Sequence, residues 1–132
     1  GNTLDIIGQM GYVAKLHKLD NNDRSVMPPI KVVEMATIGG ARAIHRENEL
    51  GSIETGKLAD VVVVEVQSAN MVPIYNPYSA LVYSANASNV ATVIVNGKVI
   101  VKNKVLQTYD ETKSRQMMIE FSDRVRAIAK TL

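Results

Sequence analysis

Two histidines, His17 and His45, are the chain's only imidazoles, and cysteine is absent. A catalytic zinc site typically takes three protein ligands and keeps a fourth position open. The two histidines stand far apart, with no His-x-His pair and no His-Glu-x-x-His helix, so together they supply at most two ligands. His17 falls on an apolar helical stripe, the setting of a core or boundary histidine. Covalent catalysis has no better footing: there is no thiol and no Gly-x-Ser-x-Gly elbow. Gly8…Gly11 and Gly39-Gly40 lack phosphate-loop spacing and a following Lys-Ser/Thr. The acid pairs Glu47/Glu49 and Asp110/Glu111 fall in a polar linker and at a helix start, where carboxylates complement the helix dipole. Asn86-Ala87-Ser88 matches a glycosylation acceptor, but with no secretory signal it reads as an ordinary polar triplet. The residues therefore assign no catalytic and no metal-ligating role within the chain.

The elements around these residues alternate between two periods. Helical spacing runs over 2–19, with Asn2 as cap and Asp5 as an acidic partner in the first turn. Leu4, Ile7, Met10 or Gly11, and Ala14 make one face; Ile6, Met10, Val13 and His17 make another. A helix apolar on more than one side needs cover from other protein. Pro28-Pro29 suits a helix start, and Gly39-Gly40 allows a close approach or a break into a second short helix, 41–45. Gly51 and Gly56 bracket a polar turn ahead of Asp60–Val66, a run apolar enough to be a strand buried on both faces or at a sheet centre. Pro77–Ala85 reads as a short helical turn. Val90–Val95 and Lys98–Val101 flank Asn96-Gly97, a strong hairpin signal, and Asn103-Lys104 makes a second turn. Asp110 caps a closing helix whose stripe is Met118, Phe121, Val125, Ile128 and Leu132. Its expected role is packing on its own sheet.

At 132 residues the chain fits one ordinary domain, and 46% hydrophobic with 21% charged residues is a globular composition. With five Tyr, one Phe and no Trp, the core must be aliphatic. The net charge of +2 is interleaved, which gives no nucleic-acid surface, and no stretch approaches the ~18 apolar residues of a membrane span. The absence of cysteine fits a reducing cytoplasm.

The block GSIETGKLADVVVVE (Gly51–Glu65) resembles the linker and returning strand of metal-dependent amidohydrolases, and MATIGGARAIH (Met35–His45) resembles the helix before it. NTLDIIGQMGYVAKLHK is similar to the segment after the last barrel strand in the deaminase and chlorohydrolase branch. There an Asn-Asn-x-Leu-Asp stretch follows a metal-binding aspartate, and Asn2, Leu4 and Asp5 match it here. PPIKVVEMATIGGARAI resembles the helices that finish the barrel. YNPYSALVYSANASNVATVIVNGKVIVKNKVLQTYDE closely resembles the end of methylthioadenosine/S-adenosylhomocysteine deaminases.

The resemblance implies an α+β fragment: the last helices of a (β/α)8 barrel (1–50), C-terminal strands of a small β-sandwich (51–109) and a long terminal helix (110–132). It implies a parent enzyme in which a divalent metal, zinc or iron, activates water to attack an amidine-like ring carbon of a purine nucleoside or similar ring. The metal ligands and acid/base groups of such barrels sit at strand ends, and none of those positions falls within this chain. The fragment is thus expected to be structural and inactive alone. Asn2 and Asp5 would lie near the mouth of the parent's substrate pocket. A barrel needs about 200 residues or more, so the helices at 2–19 and 28–44 should expose apolar surface. That surface would be covered by the remainder of the barrel or by self-association. Two readings stand beside this one: a free-standing α+β binding or structural module, and another branch of the superfamily.

Overall fold

The computed structural model describes residues 4–129. The first helix, α1, runs Ile6–Asp20, later than its periodicity predicts. Leu4 takes a left-handed conformation (φ 49°) and is 93% exposed, so it cannot join the helical stripe. Asp5, in extended backbone, is the cap: its carboxylate accepts a hydrogen bond from the Gly8 amide at 3.0 Å. Asn2, expected in that role, lies outside the described residues. The buried stripe is Ile7, Met10, Gly11 and Ala14. The second expected face is not covered, since Ile6 and His17 are exposed. Turn 21–28 is gathered by Lys18, whose Nζ donates to the carbonyls of Arg24, Val26 and Met27 at 3.0, 2.5 and 3.2 Å.

Pro28 is extended and Pro29 opens α2 (Pro29–Glu34), where a missing N–H costs nothing. The helix does not break at the glycine pair. It widens into a π-helical turn, Met35–Gly39, and continues as α3, Gly40–Ala43. The Thr37 hydroxyl bonds back to the Val33 carbonyl at 2.8 Å within that turn. Gly51 (φ 87°) then presses against the π-turn: an added Cβ would stand 2.7 Å from Ile38 Cα and 2.9 Å from Ala41 Cβ. No other residue type satisfies both the dihedral and the space.

A short helix, α4 (Pro77–Tyr83), is capped by Asn76, whose side chain accepts from the Ser79 amide at 3.0 Å. It completes the core. Ile7, Met10 and Ala14 of α1 meet Val32 of α2 and Val82 of α4, with Met27, Val33, Ala36, Leu81, Ala85 and Val90 around them. Gly11 lets α1 and α4 close together, because a Cβ there would lie 3.0 Å from the Val82 carbonyl oxygen.

The sheet is four-stranded and antiparallel, in chain order: β1 (Val61–Val64), β2 (Val90–Val95), β3 (Lys98–Lys102) and β4 (Val105–Leu106). Val62 faces Val93 in the β1–β2 ladder, and Val95 faces Lys98 beside the hairpin turn. Irregularities follow Val63 and Val93, where one strand gains a residue over its partner. The turns form as their residues demand. Asn96 and Gly97 have φ of 49° and 75°, and Asn103 and Lys104 have 49° and 67°, the positive values that two-residue hairpins need.

Two expectations are overturned here. The run at Asp60–Val66 is neither central nor doubly buried: β1 is an edge strand, with Val62 and Val63 54% and 46% exposed. Its apolar character answers to surface that nothing in these residues covers. The closing helix, α5 (Glu111–Ala129), does not bury its stripe on the sheet either, for none of its residues is buried. Met118, Phe121, Val125 and Ile128 are 48–66% exposed, and Leu132 lies outside the described residues. Asp110 does cap it, accepting from the Lys113 amide at 3.0 Å.

Candidate functional site

Of the two residues expected near a pocket mouth, Asn2 lies outside the described residues. Asp5 is half-buried at the start of α1, its Oδ1 engaged by the Gly8 amide. Its other oxygen would stand 2.8 Å from a Cβ at residue 8, so the glycine makes room for the carboxylate. The dipole of α1 favours a negative charge at this end. Asp5 is thereby held as a fixed cap.

The histidines do not converge on a metal centre. His17 is exposed on the last turn of α1, in a shallow depression with Leu16, Leu19 and Asp20. His45 is exposed beyond α3 with φ 57°, terminating the helix. Among the described residues no group of three or more His, Cys, Asp or Glu side chains could hold an ion. The described residues therefore do not fit a catalytic metal by themselves. The expected acid pairs divide between structural tasks. Glu49 pairs with Arg46 at 2.5 Å and Glu111 with Arg115 at 3.4 Å. The Glu47 Oε2 is buried with no hydrogen-bond partner. One orphan oxygen is not a ligand set. Asn86, of the glycosylation-like triplet, spends its side-chain oxygen on the amide and hydroxyl of Ser88 in a capping box over Ala87–Asn89.

Two polar centres went unremarked in the sequence. Asn89, 1% exposed, accepts from Asn70 Nδ2 at 2.9 Å and the Asn86 amide at 3.0 Å, and donates to Ser68 Oγ at 2.7 Å. It ties the loop before Met71, the end of α4 and the start of β2 into one joint. Lys57, with a side chain 12% exposed, donates to the Glu47 carbonyl and Ser52 Oγ at 2.6 Å each and pairs with Glu54 at 3.3 Å. The Ser52 hydroxyl and then Lys57 hold the Glu54 carboxyl below the usual glutamate range. Asn and Lys are common surface residues, so composition carries no signal for either role. The one hint for Lys57 was its position between a turn and an apolar run.

Several large apolar side chains of the helices are exposed. Ile6, Tyr12, Leu16 and Leu19 of α1 are 61–78% exposed, as are Ile30 and Ile44 at 54% and 60%. This is the exposed helical surface expected over 2–19 and 28–44.

Comparison with known proteins places the whole arrangement. The amidohydrolase family model matches residues 1–100. The chain is 38% identical over 98% of its length to 5-methylthioadenosine/S-adenosylhomocysteine deaminase 1 of Syntrophus aciditrophicus, spanning 29% of that protein. It is 39% identical over 99% of its length to the 5-methylthioadenosine/S-adenosylhomocysteine deaminase of Syntrophobacter fumaroxidans, spanning 28%. The chain thus spans under a third of the length of these curated relatives. Its backbone superposes on a zinc-bound adenosine deaminase from Xanthomonas campestris with a TM-score of 0.88 at 30% identity, covering 92% of this chain and 28% of that one. An atrazine chlorohydrolase from Arthrobacter aurescens, complexed with zinc, shares the fold with a TM-score of 0.74 at 24% identity, over 81% of this chain and 24% of that one. The α+β arrangement with its small antiparallel sheet, and the match along most of its length, leave one assignment: this chain belongs to the amidohydrolase family.

Proposed function

We propose that these residues are the C-terminal, non-catalytic part of a metal-dependent hydrolase of the deaminase type, acting on a C–N bond of a purine nucleoside. The observation that carries this reading is the near-complete match of the chain to deaminases of which it covers under a third. In this reading residues 1–50 finish a catalytic barrel, 51–109 belong to a small β-sandwich, and 110–132 form the terminal helix. Asn2 and Asp5 stand near the mouth of the substrate pocket, and Asp5 acts there by fixing the start of α1. The divalent ion, zinc in the related adenosine deaminase and atrazine chlorohydrolase, is held by residues outside this chain. The exposed apolar faces of α1 and α2 are covered by the remainder of the barrel, or by a second copy when the chain is alone. The absence of cysteine supports a cytoplasmic setting. Among the described residues no helix is long and apolar enough to cross a membrane.

The test is ammonia release from 5′-methylthioadenosine and S-adenosylhomocysteine, with zinc supplied. It compares a full-length protein carrying this segment with the 132-residue chain. Turnover by the full-length protein and none by the chain is expected. Turnover by the chain alone overturns the reading.

A further inference from the structure

The hairpin turn Asn96-Gly97 is restrained from outside the hairpin. Asp60, just ahead of β1, accepts a hydrogen bond from the Asn96 amide at 2.6 Å, and the Ala59 carbonyl accepts one from the Gly97 amide at 3.0 Å. Both turn residues are exposed, and a Cβ added to Gly97 would meet nothing within 4 Å. Solvent and base therefore reach the turn freely, while its two amides are held by residues distant in sequence.

An exposed asparagine followed by glycine has its own chemistry. The Gly97 amide nitrogen, once its proton is lost to solvent base, can attack the Asn96 Cγ. A bond forms between that nitrogen and Cγ, the Cγ–Nδ2 bond breaks, and the amide nitrogen leaves as ammonia after taking up a proton. The five-membered imide that results is opened by water at either carbonyl, giving aspartate or isoaspartate at residue 96. Glycine matters because it puts no side chain in the way of the attacking nitrogen.

The restraint acts on the first step. The proton that must be lost is the one donated to the Ala59 carbonyl. The Asp60 carboxylate holds the preceding amide and so keeps the turn docked against the residues that lead into β1. We propose that Asn96 is a site of spontaneous conversion to aspartate and isoaspartate, and that the Ala59–Asp60 clamp keeps it unreactive while β1 is paired. Conversion would add a carboxylate to the residue whose amide Asp60 already holds. Isoaspartate would also reroute the backbone through the side chain, so the modified turn would be poorly matched to its clamp.

The experiment follows residue 96 by peptide mapping, with isoaspartate detected by enzymatic methylation. The folded chain, its structure checked by circular dichroism, is incubated at mildly alkaline pH beside the chain unfolded in urea. The folded chain is expected to convert roughly tenfold or more slowly, because reaction requires local opening of the turn. Asp60→Ala should speed conversion in native buffer by roughly tenfold, the scale of one lost charge-assisted hydrogen bond. Asp60→Asn, which keeps an acceptor, should fall between. Equal rates folded and unfolded would overturn the proposal, as would a folded Asp60→Ala chain no faster than the parent. Should Asp60→Ala not fold, the folded-against-unfolded ratio and the Asp60→Asn rate decide it.

Discussion

The helical layer and the sheet are built from similar aliphatic residues and treat them oppositely. In the layer, Ala14 is fully buried, Val32 and Val82 are 2% and 3% exposed, and glycines let the helices close to contact. In the sheet no strand residue is buried, although β1 is four consecutive valines. The sheet holds its shape through ladder hydrogen bonds, turn chemistry and two side-chain ties: Asp60 to the Asn96 amide, and Lys104 to Glu65 at 2.7 Å. The helical layer is thus a core, while the sheet and α5 leave many of their apolar side chains exposed. Burial of apolar area is the main favourable term in folding, so the two regions should differ sharply in how they answer substitution.

The largest contrast is a charge placed in each. Val32→Asp buries a carboxylate in the apolar cluster of Ile7, Met10, Ala14 and Val82, and should cost about 3–5 kcal/mol. For a domain of ordinary stability that removes much of the folding free energy. Val62→Asp, on the exposed edge strand, should cost within about 1 kcal/mol. Urea unfolding of both variants measures the gap. A Val62→Asp chain as damaged as Val32→Asp would mean that β1 is covered in solution, and light scattering would then show self-association that the substitution abolishes.

The same contrast explains what could be read from the sequence. Features set by two or four neighbouring residues were legible: the Pro29 helix start, the turns at Asn96-Gly97 and Asn103-Lys104, and the Asp110 cap. Those signals are dihedral or hydrogen-bonding demands that no distant residue alters. Helical spacing starts α1 too early, because the left-handed turn at Leu4, which no neighbouring residue type signals, leaves Asp5 to cap the helix. The glycine pair at 39–40 allows either a close approach or a break. The backbone instead absorbs the irregularity as a π-turn, and the close approach occurs at Gly51. The burial of β1 and α5 departs from the sequence pattern for a deeper reason. Apolar pattern records what an element is adapted to touch, not whether the partner is present. The candidate site had the least local signal, since Asn89 and Lys57 join partners 10 to 21 residues away to nearer ones.

A smaller effect probes the helical layer at its edge. Asp5→Ala removes the cap of α1 and should cost about 1 kcal/mol. Gly8→Ala brings a gain in helix propensity of about 1 kcal/mol against a Cβ that would stand 2.8 Å from the Asp5 carboxylate. The single Gly8→Ala change should therefore be near neutral, and it should become stabilising once Asp5 is already alanine. A double-mutant cycle on thermal or urea unfolding reads that coupling directly. Additive single effects would show that Gly8 is not there to seat the carboxylate.

The smallest effect lies on the exposed side of α2 and separates surface electrostatics from core packing. Glu34 accepts a hydrogen bond from Lys31 at 2.9 Å and lies 3.7 Å from Arg42. Lys31, through the hydrogen bond first and its charge second, holds the Glu34 carboxyl below the usual glutamate range. Because the folded-state value is depressed, the stabilisation is fully present above the carboxyl's unfolded-state pKa. It is lost as pH falls through the lower folded-state value. The pair is solvent-exposed, so water and salt screen it. Glu34→Gln should shift the urea midpoint slightly at neutral pH and low salt, and the difference from the parent should shrink in high salt and vanish at acid pH. Val32, two residues away on the buried face, should show neither dependence when it is replaced by alanine. If the Glu34→Gln difference persisted unchanged in acid, the carboxylate would be acting by packing rather than by charge, and the division between a charged outer face and a dry inner one would not hold for α2.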